Sequence, residues 1–187
     1  MLFGEIRQPQ STYLIIPKVS SERRKFIPIG ILPPTTIASG SALIIPDASF
    51  YHFGVVQSTM HMAWMRTVCG RMKSDYQYSA SIVYNNFPWP LEPSDKQKTA
   101  IETAAQAVLD ARAAYPDSSL ADLYDPRSMP PNLTRAHQQL DKAVDTAYGK
   151  TKFNTEAERV AFLFELYQQY TAPTAPMTTP TKPKKRK

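Results

Sequence analysis

The chain has 187 residues, 42% hydrophobic and 11% aromatic, enough core for one medium domain or two small ones and too much for wholesale disorder. One cysteine, Cys69, excludes an internal disulfide and suits a reducing cytosol. No apolar run approaches the roughly 20 residues of a membrane helix, and the opening MLFGEIRQPQ lacks a signal peptide's charged-then-apolar layout. The net charge of +6 is unevenly placed. Residues 1–93 carry 8 basic and 5 acidic groups, residues 94–170 carry 9 and 11, and residues 171–187 carry 5 and none. Overall basicity is therefore mostly a tail and is weak evidence for nucleic acid.

The first half reads as β with one long helix. TYLIIP and KFIPIGIL are β-branched and aromatic runs separated by the charged KVSSERR, the layout of a hairpin. Pro17 and Pro28 push both runs toward sheet edges or bulges. SALIIP and SFYHFGVV are two further strand candidates. The period then changes. QSTMHMAWMRTVCGRM carries Val56, Met60, Ala63, Trp64, Thr67 and Val68 near helical spacing, with Ser58 as a cap and Gly70 as a stop. After it, DYQYSASIVY alternates weakly and reads as another strand.

From Ser94 onward the pattern is helical. Ser94 and Gln97 make a capping box, in which each side chain satisfies a free backbone donor. Ile101, Ala104, Ala105, Val108 and Ala111 line one face until Pro116. Pro131 opens a second helix striped by Leu133, His137, Leu140, Val144 and Ala147 and closed by Gly149. Thr155 with Glu158 repeats the capping pattern before Val160, Leu163, Phe164 and Tyr167. Three such helices predict a small bundle closed on itself. Residues 171–187, with four prolines and five basic groups, predict a disordered tail.

The stretch YNNFPWP, Tyr84 to Pro90, poses the question of catalysis. DNA amino-methylating enzymes use an Asn-Pro-Pro-Tyr loop, whose Asn amide and Pro carbonyl bind the target amino group while the aromatic stacks on the flipped base. Here Asn85-Asn86-Phe87-Pro88 has the wrong order. The six glycines stand singly, so no Gly-rich turn follows a strand to hold a nucleotide-like cofactor. Pro88 and Pro90 read instead as a rigid connector between the halves. His52, His61 and His137 lack metal-ligand spacing with Cys69, and Cys69 ends a helix where activated thiolates favour helix starts. No catalytic set emerges.

Four motifs in order carry a family resemblance: PQSTYLIIPKVSSERRKFIPIGIL, YHFGVVQSTMHMAWMRTVCGRMKSDYQYS, YNNFPWP and AVLDARAAYPDSSLADLYDP. From about Pro9 to Tyr170 the chain resembles the C-terminal third of MmeI-like DNA methyltransferases, large single-chain restriction-modification enzymes and their methylase relatives. The resemblance implies an α+β chain truncated at its start, with a partial target-recognition domain at 1–90, a helical domain at 91–170 and the tail at 171–187. It also implies that S-adenosylmethionine is a cofactor of the parent family and not of this chain.

DNA contacts then become candidates. Base reading in the major groove needs short, well-placed donors and acceptors, and GRMKSDYQYS offers Arg71, Lys73, Ser74, Asp75 and Tyr76 after a helix stop. Lys73 and Asp75, two apart, share a face if this stretch is extended. Lys donates to guanine O6 and N7, and Asp accepts from the cytosine amino group. An ordinary solvated strand carries the same residues. Ser20, Ser21, Arg23, Arg24 and Lys25 suit phosphates or groove edges, or simply a soluble turn. Ser58 and Thr59 at a helix start are placed to meet a phosphate through backbone donors, or only to cap. KPKKRK grips polyanions or is merely solvated. The expected role is to position a cytoplasmic DNA methyltransferase on double-stranded DNA, joined to the methyltransferase portion missing here and away from any membrane. The alternative is a non-catalytic protein-interaction module with a basic anchor.

Overall fold

The computed structural model describes residues 8–149 and 153–172, so most of the basic tail, and with it the expectation of disorder there, lies outside the described residues. Tyr13–Pro17 (β1) is the middle strand of an antiparallel sheet, between Gly30–Leu32 (β3) and Ala42–Ile45 (β4), with Leu14 opposite Ile31 and Ile45. Lys18 turns the chain into a second sheet: its N–H donates to Ser41 and its carbonyl accepts from Tyr78. Val19–Ser20 (β2) there pairs with Asp75–Gln77 (β6), which pairs with Gly70–Met72 (β5). The expected hairpin thus exists as β1 and β3. The connection between them, however, supplies an edge strand to another sheet.

Two predicted strands are helical. SFYHFGVV forms Phe50–Val56 (α1), and Phe53, Gly54, Val55 and Val56 are all buried. With its last four residues buried and an apolar Phe50 at its exposed start, the segment has no polar face to mark a helix period. DYQYSASIVY is strand only over β6, and Ala80–Tyr84 then coils into a single wide turn. The Ser79 hydroxyl accepts from Ile82 N at 3.3 Å, and the Asn86 amide donates to the Ser81 and Ile82 carbonyls. Local side-chain bonds of this kind compete with a ladder.

Thr59–Val68 (α2) keeps its predicted Ser58 cap, with the Ser58 hydroxyl accepting from His61 N. Asp95–Ala113 (α3), Leu120–Leu123 (α4), Pro131–Ala147 (α5) and Glu156–Thr171 (α6) follow. The Ser94–Gln97 box forms as expected, and Gly149 sits at φ +79 after α5. The self-closed bundle does not form. α3 and α5 lie side by side, α1 packs against them, and α6 lies mainly along α2. The α1 contact depends on glycine: a Cβ at Gly54 would sit 2.6 Å from Ile101 Cγ2, 3.2 Å from Leu140 Cδ1 and 3.3 Å from the Ala105 Cβ. One apolar core therefore runs through both halves, from Leu14 and Ile16 to Val144 and Leu163.

Two histidines are locked neutral inside this core. Burial pushes His61 and His137 from the ordinary 6.5 down to about 3, and the Arg112 and Lys25 charges add to the effect at His137. Between about pH 6.5 and 3 the unfolded chain binds the more protons, so their contribution is complete above 6.5 and lost as pH falls. Each costs up to about 1.4 kcal/mol per pH unit there. Burial raises Asp141 and Asp145 above the ordinary 3.8; their contribution is complete below that value and lost as pH rises, so it runs opposite to the histidine trend. The urea midpoint is expected to fall steadily from about pH 7 to pH 5, and a His137→Gln variant to show a shallower slope. A flat midpoint over that interval contradicts the neutral pair.

Candidate nucleic-acid interface

The hairpin of β5 and β6 turns through Lys73 and Ser74, with Met72 opposite Asp75. Lys73 holds φ +58, a left-handed conformation that costs a non-glycine residue on the order of 1 kcal/mol. The stretch is therefore not extended, and the expectation that Lys73 and Asp75 share a strand face is corrected: they flank a tight turn at the hairpin tip. Lys73 is exposed and Asp75 half-buried. Neither side chain has a hydrogen-bond or ion-pair partner among the described residues. Arg71 stiffens the tip. Its guanidinium donates to the Ser74 carbonyl at 2.9 Å, lies 4.3 Å from the Tyr76 ring centre and approaches Glu22 at 3.8 Å.

Pairing of β2 with β6 brings the second candidate group alongside. Ser20 lies opposite Tyr76, so the turn at 21–25 leaves the sheet next to the hairpin. That turn is pinned at both ends. Arg24 N donates to the Ser21 carbonyl at 3.1 Å, Arg66 donates to the Lys25 carbonyl and pairs with Glu156, and Phe26 and Ile27 are buried directly after it. Arg23 and Arg24 face a cleft of about 480 Å³ lined also by Ser21, Asp125, Pro126 and Arg127. Arg127 comes from the connection between α4 and α5 and escaped sequence reasoning. No local pattern links it to residues so distant in the chain.

Four candidates are corrected by burial or by prior engagement. Ser20 is 3% exposed and Tyr76 7%, so their side chains belong to the sheet interior. Ser58 is fully buried and donates to the Val55 carbonyl at 2.7 Å. Thr59 gives its N–H and hydroxyl to the two Asp141 carboxylate oxygens at 2.7 and 2.6 Å. The start of α2 is thus already occupied by a carboxylate from α5, where a phosphate was expected.

The YNNFPWP stretch ties the halves together. Phe87 packs edge-on against His61 and Trp89, Tyr148 donates to the Pro88 carbonyl, and Tyr170 to that of Trp89. Asn86 is spent on the wide turn. No group of His, Cys, Asp and Glu among the described residues is arranged to hold a metal, and no described helix is long and apolar enough to cross a membrane.

Comparison with known proteins decides the family. Residues 1–91 match the model of the MmeI target recognition domain, and residues 93–175 that of the MmeI C-terminal domain. The chain belongs to the MmeI family. DNA methyltransferase A of Bacillus subtilis (strain 168) is 41% identical over 169 residues, which are 90% of this chain and 19% of that protein. The solved structure of the type IIL restriction-modification enzyme MmeI in complex with DNA is 55% identical, with a TM-score of 0.85 over 89% of this chain and 22% of MmeI. The chain thus spans about a fifth of either relative. In this MmeI-family frame the hairpin tip and the 21–25 turn fall in the recognition match, and Asp125 and Arg127 in the C-terminal match.

Proposed function

We propose that the chain is the sequence-reading part of a larger S-adenosylmethionine-dependent DNA methyltransferase of the restriction-modification type, working in the cytoplasm on double-stranded DNA. The observation that carries this reading is the rigid hairpin tip. Among the described residues Lys73 and Asp75 stand there without hydrogen-bond or ion-pair partners, beside an arginine-bearing turn, within the recognition match. Lys73 donates to guanine and Asp75 accepts from the paired cytosine. Ser21, Arg23 and Lys25 meet phosphates and fix the register. Arg71 holds the tip from beneath.

Methyl transfer belongs to the portion outside this chain. S-adenosylmethionine needs a turn where backbone N–H groups and small residues converge. The described glycines are isolated, and Gly54 is consumed by helix packing. These residues do not fit the cofactor, and no chemical step is assigned to them.

The test is duplex binding by the chain across a salt series. Binding is expected to weaken as salt rises. Arg23→Ala should weaken it about equally for every sequence and reduce the log–log salt slope by about 1. Salt-independent binding, or none at low salt, contradicts the reading.

A further inference from the structure

We propose that the cleft between the 21–25 turn and the α4–α5 connection is a phosphodiester site that the helical half completes, with Arg127 as a direct contact to the DNA backbone. The inference rests on the DNA-reading function and extends it to a half of the chain that otherwise only supports the recognition half.

Three guanidinium groups, from Arg23, Arg24 and Arg127, line the cleft against one carboxylate, Asp125. The balance is positive by two, which attracts an anion, and a bound phosphodiester still leaves it positive by one. Arg24 is only partly exposed, and its Nε–H is buried with no acceptor among the described residues. Arg127 is 90% exposed on its side chain, and its Nε lies 3.7 Å from Asp125 Oδ1. A pair so exposed contributes little stability, which leaves the guanidinium available to a phosphate. Arginine's planar fork suits phosphate oxygens better than a lysine ammonium does.

The two walls cannot drift apart. Phe26 directly follows the arginine turn, and Tyr124 directly precedes Asp125. Their rings meet edge-on at 6.5 Å, and Phe26 stacks on His137 at 4.0 Å. The Tyr124 hydroxyl accepts from Arg112 and sits 2.7 Å from His137 Nε2. On the far wall, Arg127 N donates to Asp125 Oδ1 and Met129 N to the Asp125 carbonyl. The Phe26–Tyr124 contact therefore holds the two backbone segments that carry the arginines next to each other before any ligand arrives, while the exposed Arg23 and Arg127 side chains still lose some freedom on binding.

Asp125 gives the site a sign that misfolding cannot mimic. Its charge repels a phosphate and competes for Arg127, whereas an asparagine keeps the Oδ1 acceptor for Arg127 N. The full chain, with Arg127→Ala, Asp125→Asn and Arg23→Ala variants, is titrated with duplexes of several sequences from about 50 to 200 mM salt. Arg127→Ala is expected to weaken every duplex roughly threefold to tenfold and to lower the salt slope by about 0.9. Asp125→Asn is expected to tighten every duplex by a similar factor. If both bind as the unaltered chain does while Arg23→Ala weakens, the helical half does not touch DNA; this site is overturned and the recognition reading stands. If the unaltered chain binds no duplex, both fall together. Inorganic phosphate separates the sources of the anion. If phosphate alone raises the unfolding temperature as much as duplex does, and Arg127→Ala removes both effects, the site takes a free anion and the DNA assignment is wrong.

Discussion

Arg112→Leu is expected to lower the unfolding free energy by about 2–4 kcal/mol. Arg112 is 8% exposed and its guanidinium is shared between the halves. One nitrogen donates to the Ile29 carbonyl at 2.8 Å, and two others donate to the Tyr124 hydroxyl at 2.9 and 2.6 Å. The charged plane also lies 5.2 Å from the Phe53 ring and 4.9 Å from that of Tyr124. Leucine fills part of the volume and abandons these acceptors inside the core, where an unpaired group costs about 1–3 kcal/mol. Removing the buried charge offsets some of that loss, which holds the figure below the sum of the bonds. Arg112→Lys keeps the charge without the fork and should recover only part of the stability. Urea unfolding measures both. A Leu variant within about 0.5 kcal/mol of the unaltered protein, the range of an ordinary surface change, would show that the halves do not depend on this tie. Because Arg112 also holds Tyr124, whose chain neighbour Asp125 lines the arginine cleft, the same variant should weaken DNA binding.

The second large effect concerns specificity. Lys73→Glu together with Asp75→Arg exchanges donor and acceptor at the hairpin tip. If the two residues read one base pair as a unit, preference at that position moves from G to C. A good base contact is worth about 1–3 kcal/mol of discrimination, or roughly one to two powers of ten. Either single substitution leaves one base of the pair facing a like partner and should weaken binding without a clean reversal. Competition between two duplexes that differ only at that pair reads the ratio. Equal weakening of both duplexes by the double exchange, with their ratio unchanged, makes Lys73 and Asp75 surface charges. Lys73 also leaves its left-handed conformation open to relief. Lys73→Gly should therefore hold or raise stability by up to about 1 kcal/mol while losing discrimination.

The helical half was the more legible in sequence because its helices each have a wet side. α5 shows the stripe Leu133, His137, Leu140, Val144 and Ala147, and all five are buried. Caps read equally well where the bonds are local: Ser94 with Gln97 forms in full. Thr155 accepts from Glu158 N as expected, but the Glu158 carboxylate reaches back to Asn154 N instead of completing the box. The recognition half hid its elements for the opposite reason. α1 packs its last four residues against α3 and α5 and carries an apolar Phe50 on its exposed side, so no polar face marks a helix and the run reads as a strand. The switch of sheets at Lys18 depends on Ser41 and Tyr78, far off in the chain, and no local residue announces it.

The candidate site followed the same division. Charged residues after a helix stop drew attention to the segment that forms the β5–β6 hairpin, yet the geometry inferred for them was a strand face where the chain makes a turn. Ser58 and Thr59 carried a genuine cap signal. What they lacked in sequence was any hint that Asp141, on another helix, already fills the position. Arg127 joins Arg23 and Arg24 only through the contact of Phe26 with Tyr124, which is visible only once the chain is folded.

The central claim is that this chain chooses the DNA sequence for an enzyme whose other parts do the chemistry. It is tested most directly by placing the chain in MmeI in place of the matching 22%, and sequencing the duplexes that the hybrid retains from a randomised pool. The expected result is a single enriched sequence with a G·C pair at one position, converted to C·G when Lys73→Glu and Asp75→Arg are introduced, with every other position unchanged. A hybrid that enriches no sequence, or whose enriched sequence is the same with and without the exchange, contradicts the claim.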